Sequence, residues 1–518
     1  MTDTDTGVDI DGDIDVLVVG GGNAGFSAAH SAREHGARVL LLERAPRDEA
    51  GGNSFYTAGA FRLAHEGLAD VTPMLAPDER LERTVLPPYT AAEFTADMER
   101  VTDGRNDAVL TRLLVSRSGD TVRWLADKGI GWRLMYERQA YESGGIWKFF
   151  GGLALGTVGG GKGLIAQHTA AAVASGVEIR YGANVTALHR GHAGAVTAVT
   201  YADASGEHTV RAHAVVLGAG GFEASSRLRA RHLGLEWARA IVRGTPTNDG
   251  AILELALALG AAPYGDYGTC HSVAWDAGAP PGGGDRRLTN QYTRQSYPLG
   301  IVVDRDGRRF VDEGADYRNY TYAKYGREIL RRPGGVAWQL FDATTRPMLR
   351  TEEYDSQPIT WAGADTVEEL ASRLGISPEG LRRTVDEFNA SIVDEPFDPS
   401  IKDRRRARTE PPKSNWALAL ETPPFYGYAV SCGITFTFGG LHVDTSARVL
   451  DEESRPIEGL YAAGELVGGL FSGNYPGGSG LTSGAVFGRI AGAAAAARAS
   501  SSVDTAGVAG SHTDGGVR

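Results

Sequence analysis

Short, unbroken apolar runs recur along this chain between glycine clusters and amphipathic stretches. Val16-Leu-Val-Val19 and Val39-Leu-Leu-Leu42 are apolar at every position, the pattern of strands buried on both faces. Between them lie Gly20-Gly-Gly-Asn-Ala-Gly25 and the helical stretch Ala28 to Arg33, and Glu43 closes the second run. Strand, glycine turn, helix, strand and acid in that order predict a dinucleotide-binding βαβ unit. Gly20 permits the tight turn, Gly22 lets backbone approach a pyrophosphate, and Gly25 lets the helix sit close to the strand. The pyrophosphate is expected on the helix N-terminus, whose free N–H groups and dipole favour anions, with Glu43 accepting from a ribose.

Beyond this unit, the spacing of Val109, Leu110, Leu113, Leu114, Val122 and Leu125 predicts helix from Ala91 to about Gly129. A glycine cluster at 159–163 opens another helix, Leu164 to Ala174, and Val177 to Tyr181 begins a set of short strands. Ala214-Val-Val-Leu217 is a further buried strand running into Gly218-Ala-Gly-Gly-Phe222. From about Arg294 to Pro423 charge and aromatic content rise, with helices expected over Val367 to Leu374 and Pro378 to Ala390, and glycine signals resume at Gly459. The expected fold is α/β: a Rossmann-like nucleotide-binding domain split into 14–293 and 424–498 around an inserted α+β capping domain at 294–423. Residues 1–13 and 499–518 read as disordered tails.

The length of 518 residues supports two or three domains, and 42% hydrophobic with 22% charged residues is ordinary for a globular protein. The 70 glycines, about twice average usage, show no triplet period and fit cofactor-wrapping loops. A formal charge of −12 argues against nucleic acid or an anionic membrane as the main partner, and Arg404-Arg-Arg406 with Arg408 reads as a solvated loop. No apolar run is long enough to span a bilayer, and the acidic N-terminus lacks a secretory apolar stretch. Cys270 and Cys432 alone make neither a disulfide framework nor a metal cluster, so the expectation is a reduced, cytoplasmic protein without a metal.

At Gly459-Leu-Tyr-Ala-Ala-Gly464-Glu465 a family pattern emerges. With Gly51-Gly-Asn-Ser54, Val215-Val-Leu-Gly-Ala-Gly-Gly221-Phe222, Gly307-Arg-Arg-Phe310-Val-Asp-Glu313 and 477–492, it resembles the flavoproteins that include soluble fumarate reductases and 3-ketosteroid dehydrogenases. Within that family the likeness is greatest to tricarballylate dehydrogenases. The resemblance spans about 14–495 and implies noncovalent FAD, because Phe55 and Tyr56 stand where covalently attached relatives carry a His. It implies that Gly20, Gly22, Asn23, Ala24, Gly25, Glu43 and Arg44 hold the ADP half, with Val185 near the adenine. Gly52, Asn53, Ser54, Gly59, Ala219, Gly220, Gly464 and Glu465 would serve the pyrophosphate, ribityl and flavin regions, and Gly480 and Leu481 the pyrimidine edge.

Departures from the family point to the chemistry. Tyr317, followed by Arg318, occupies the position where fumarate reductases carry a proton-donating Arg, and Tyr475 lies in Asn474-Tyr-Pro-Gly-Gly478 where they clamp a carboxylate. Phe436 replaces a His, whereas His271 keeps a dicarboxylate-site position. Ketosteroid dehydrogenases carry Tyr at both of the first two positions. The resemblance therefore implies oxidation: an FAD-dependent dehydrogenase desaturating CH–CH beside a carboxylate or ketone, with Tyr317 as base. Tyr475 would stabilise the developing oxyanion with N–H groups of Gly478 or Ser479, and Arg318 would help lower the phenol pKa. A flavin hydroxylase or oxidase on a larger ring, and fumarate-reductase-like C=C reduction, are the alternatives. Arg62, Arg138, Arg294 and Arg318 are candidates to make up the lost carboxylate clamp, and Arg243, before Gly244-Thr245, reads either as a site residue or as a surface residue of the flavin domain. The substrate is expected to be a small molecule and the electron acceptor is not identified. No second nucleotide fold is visible, which disfavours NAD(P)H as direct donor.

Overall fold

The computed structural model describes residues 14–191 and 194–510, with side chains up to residue 501. Strands Glu178–Tyr181, Val39–Glu43, Ile14–Val19, Gly206–Leu217 and Pro456–Ala462 lie side by side in that order, all parallel. Val16 sits between Val39 and Ala214, and Val16, Leu17 and Val18 are wholly buried, as the unbroken apolar runs predict. The first half of Gly206–Leu217 pairs antiparallel with Val196–Asp203, which pairs with Asn184–Arg190. The fold class is the expected α/β.

The first helix, Asn23–Glu34, packs against the last, Ser479–Gly510. Gly488 and Gly492 make that approach possible: a Cβ at either would come within 2.4 Å and 2.2 Å of the carbonyl oxygens of Ala24 and Ala28. The last helix continues past 498, where the sequence suggested a disordered tail; alanine-rich 493–499 carries it onward. The remaining tail segments, 1–13 and 511–518, lie outside the described residues.

The single helix expected over 91–129 is two, Ala91–Val101 and Ala108–Asp127. Thr102-Asp-Gly-Arg-Asn-Asp107 separates them: Asp103 and Gly104 take positive φ, and the Asp107 carboxylate caps the second helix by accepting from Val109 and Leu110 N–H. The helices at Val367–Leu374 and Pro378–Ala390 match the sequence reading residue for residue, capped by Thr366 and Ser377.

A second, six-stranded sheet is built around the long strand Phe425–Thr437. Ile301–Val303, Val336–Phe341 and Trp361–Ala364 come from the 294–423 segment, whereas Ile241–Val242 and Cys270–Asp276 precede it and the central strand follows it. The far end of that central strand, Thr435 to Thr437, delivers side chains to the cavity described next.

Candidate active site

One cavity of about 1640 Å³, its open mouth included, runs from the carboxyl ends of Ile14–Val19 and Val39–Glu43 to the end of Phe425–Thr437. At one end Gly22 caps the first helix, whose N-terminus opens onto the cavity. A Cβ at Gly22 would find no protein atom closer than Ser54 Oγ at 3.5 Å, so the protein leaves this space open. Glu43 faces the same end, held by the N–H groups of Gly21 at 2.7 Å and Ala45 at 2.8 Å. Arg44 is oriented by Asp249 at 2.7 Å, and Val185 completes this end. A glycine cradle, a helix N-terminus and a buried carboxylate fit the ADP half of FAD.

Farther in, Asn23, Ala24, Gly52, Asn53, Ser54, Ala219, Gly220, Gly464, Glu465, Gly480 and Leu481 all line the wall. The Asn23 amide donates to the Leu481 carbonyl at 2.8 Å and ties the first glycine motif to the last. Gly25 and Gly59, expected to touch the cofactor, lie behind the wall. A Cβ on Gly25 would strike Gly20 O at 1.9 Å, and one on Gly59 would strike Thr157 Oγ1 at 2.1 Å, so both are demanded by packing. Among the described residues no His or Cys lines the cavity.

Behind Asn53 sits a buried pair that the sequence reading missed on one side. Glu223 lies against Glu465, and its Oε1 accepts from Asn53 at 2.5 Å and Asn248 at 2.8 Å. Glu465 accepts from Thr437 N at 2.6 Å and Oγ1 at 2.9 Å. Burial raises both carboxyls, Glu223 to about 7, and the charge of Glu223 raises Glu465 further, so the pair favours sharing one proton.

At the far end Arg243, Arg318, Arg138, Gln295, Asn290, Tyr322 and Tyr475 converge. Arg138 is neutralised by Glu352 and by Glu353 at 2.7 Å. Arg243 and Arg318 spend their donors on neutral oxygens. Arg243 reaches Asn290 Oδ1 at 2.5 Å while its buried Nε has no partner; Arg318 reaches Gln295 Oε1 at 2.7 Å and the Arg138 carbonyl at 3.1 Å. Burial, with the charges of Arg350 and Arg138, lowers Arg318 to about 9, and burial lowers Arg243. The Tyr475 hydroxyl shares a 2.9 Å hydrogen bond with that of Tyr322, and burial pushes Tyr475 well above its usual range, which makes it a donor rather than a base.

Four sequence-derived candidates fall elsewhere. Tyr317 does not line this cavity; it faces a neighbouring one, its hydroxyl donates to the Ser400 carbonyl at 3.3 Å, and burial and Asp316 raise its pKa. The effect is opposite to what a base requires. His271 lies behind the wall with its ring against Tyr322 and Tyr475, neither nitrogen partnered, and burial keeps it neutral. Arg62 and Arg294 are fully buried: Arg62 donates to the Gly477 carbonyl and shapes the Tyr475 loop, and Arg294 pairs with Asp276 at 2.7 Å. Tyr322, Gln295 and Asn290 carry no motif that a single sequence could reveal.

A family model described as an FAD binding domain matches residues 15–481. A probable fumarate reductase of Shewanella frigidimarina is 30% identical over 470 residues, 90% of this chain and 72% of that protein. An open flavocytochrome c3 fumarate reductase superposes with a TM-score of 0.71 at 27% identity, covering 94% of this chain and 78% of that one. The fold is shared too with 3-ketosteroid Δ1-dehydrogenase from Sterolibacterium denitrificans, TM-score 0.73 at 21% identity over 93% and 99% of the two chains. Among the described residues no helix is long and apolar enough to cross a membrane. The chain belongs to the FAD binding domain family, is related to fumarate reductases, and is an FAD-dependent oxidoreductase acting on C=C or CH–CH bonds.

Proposed function

We propose that the protein transfers hydrogen across the Cα–Cβ bond of a carboxylic acid, with Arg318 moving the proton and reduction of the C=C bond favoured at neutral pH. The observation that carries this reading is the pair of guanidiniums, Arg243 and Arg318, lining the flavin cavity with their donors on neutral oxygens. Two cations without paired carboxylates, Arg243 buried and Arg318 half-buried, fit an anionic ligand.

FAD, when bound, supplies or accepts the hydride. Arg243, with its unpartnered Nε, binds the substrate carboxylate. Tyr475 donates toward the same oxygen from its hydroxyl pair with Tyr322, which is the role expected of it from the sequence. Arg318 holds a proton at its guanidinium at neutral pH and, with a pKa near 9, releases it far more readily than an ordinary Arg. Gln295 and the Arg138 carbonyl fix the plane of that guanidinium. This replaces the Tyr317 base, and with it the argument for oxidation as the preferred direction.

The test is anaerobic mixing of chemically reduced holoenzyme with unsaturated acids, and of oxidised holoenzyme with their saturated counterparts. Return of the yellow colour with fumarate or crotonate supports the reading. Bleaching by saturated acids with no reoxidation by unsaturated ones would reverse its direction, and silence from every acid would remove the carboxylate.

A further inference from the structure

A second cavity of about 1050 Å³, its open mouth included, adjoins the first, and the two share Arg138, Gln295 and Arg318 as a common wall. Away from that wall its lining changes character. Tyr141 stacks on Phe150 with ring centres 5.4 Å apart; Phe150 meets Tyr317 at 5.1 Å, and Tyr317 meets Trp416 at 5.9 Å. These four rings come from different places. Tyr141 belongs to Ala140–Ser143, Phe150 directly follows the partner strand Ile146–Phe149, and Tyr317 and Trp416 lie in the 294–423 segment. All four border the cavity, and the backbone carbonyls of Asp398 and Ile401 fix the Trp416 indole.

From this arrangement we infer that the second cavity is the subsite for an aromatic ring carried on the substrate beyond its reacting carbons, so that the substrates are aryl-bearing carboxylic acids. The inference rests on the carboxylate reading of the first cavity. A carboxylate bound at Arg243, with the reacting carbons beside Arg318, leaves the remainder of the acid at the shared wall. Past that wall the surface offers ring faces and edges beside the aliphatic Leu299, Met348 and Leu349 and the Arg350 side chain, and the rings favour offset or edge-on contact with another arene over aliphatic contact of equal area. Arg318 and Gln295 line both cavities, joined by one hydrogen bond, and Arg318 also donates to the Arg138 carbonyl, so the substrate extends past this contact while the guanidinium stays held. The ring array also gives Tyr317 a function its position supports.

The test uses oxidised, FAD-loaded protein under anaerobic conditions. Propanoate, 3-phenylpropanoate and 3-cyclohexylpropanoate are titrated while flavin absorbance reports binding as a spectral shift, distinct from bleaching by turnover. The phenyl acid is expected to bind at least tenfold more tightly than propanoate and more tightly than the cyclohexyl acid. Phe150→Ala and Tyr317→Leu, which leave every residue of the flavin cavity in place, are each expected to bring the phenyl-to-propanoate ratio within threefold. A ratio near one in the wild type, or one unchanged in both variants with normal FAD content, overturns the subsite. So does equal binding of the cyclohexyl acid. Propanoate binding with no aryl preference defeats this inference alone, whereas no binding by any of the three defeats the carboxylate reading beneath it.

Discussion

Arg318→Met isolates the proton from the other functions of the site. Methionine preserves much of the length and apolar stem of the side chain but removes the guanidinium, the two hydrogen bonds to Gln295 and the Arg138 carbonyl, and the only titrating function assigned to that wall. Positioned acids contribute about 10²–10⁴-fold, or roughly 3–5 kcal/mol of barrier. Single-turnover oxidation of reduced flavin by an unsaturated acid should therefore slow by at least about a hundredfold, with FAD content unchanged. The pH dependence is more diagnostic. Arg318 is held near 9, below the arginine range, and donates in its protonated form, so kcat/KM should be flat below that value and fall as pH rises through it. A bound carboxylate acts in the opposite sense. Two unit charges about 4 Å apart at an effective dielectric of 20 interact by about 4 kcal/mol, equivalent to about 3 pH units. The limb in kcat should consequently lie well above the limb in kcat/KM. In Arg318→Met both limbs should vanish. A variant reacting within threefold of wild type, or one that keeps the limb near 9, would show that the proton comes from elsewhere.

Three further outcomes follow from the geometry. Gly22→Val should yield colourless protein that still folds by circular dichroism, because the new side chain enters space the protein leaves open; full FAD stoichiometry would place the cofactor elsewhere. Tyr317→Phe should retain the limb near 9, since Arg318 is untouched; loss of that limb would return the phenol to the reaction. In the wild type, Glu223 titrates near 7 when folded against 4.5 when free, so the folded state binds more protons between those values and stability falls as pH rises through them. Glu223→Gln should flatten melting temperature against pH over about 4.5–7, and an unchanged slope would mean that the pair holds no shared proton.

The parts of the site legible in the sequence are those where backbone is constrained by a ligand or by a close approach. Gly20, Gly22 and Glu43 line the cavity, and the sequence could place them together because the geometry of strand, turn and acid is local, fixed within about thirty residues. The same holds for the helices at Val367–Leu374 and Pro378–Ala390, whose caps and apolar faces lie within their own segments. What escapes is assembled from distant pieces. Glu223 meets Glu465 across 242 residues of sequence, and nothing local distinguishes a buried carboxyl pair from two separate surface acids. The six-stranded sheet draws strands from both sides of the 294–423 segment, so a boundary set by composition cannot follow it.

Tyr317 and Arg318 show the limit most sharply. Counting from Glu313 selects Tyr317 as the residue in the proton-donor position, and a one-residue difference seems small in an alignment. In the fold it is decisive. Tyr317 has φ −52° and ψ 140°, extended backbone that precedes the short turn Arg318–Tyr320. Consecutive side chains in extended backbone project to opposite sides. The phenol accordingly joins Phe150 and Trp416, while the guanidinium crosses to Gln295 and the flavin cavity. The chemistry a family motif assigns by number is thus carried by whichever neighbour the backbone turns inward. In the proposed reading that is the arginine, which keeps a charge and a proton for a carboxylate substrate, while the tyrosine faces the second cavity.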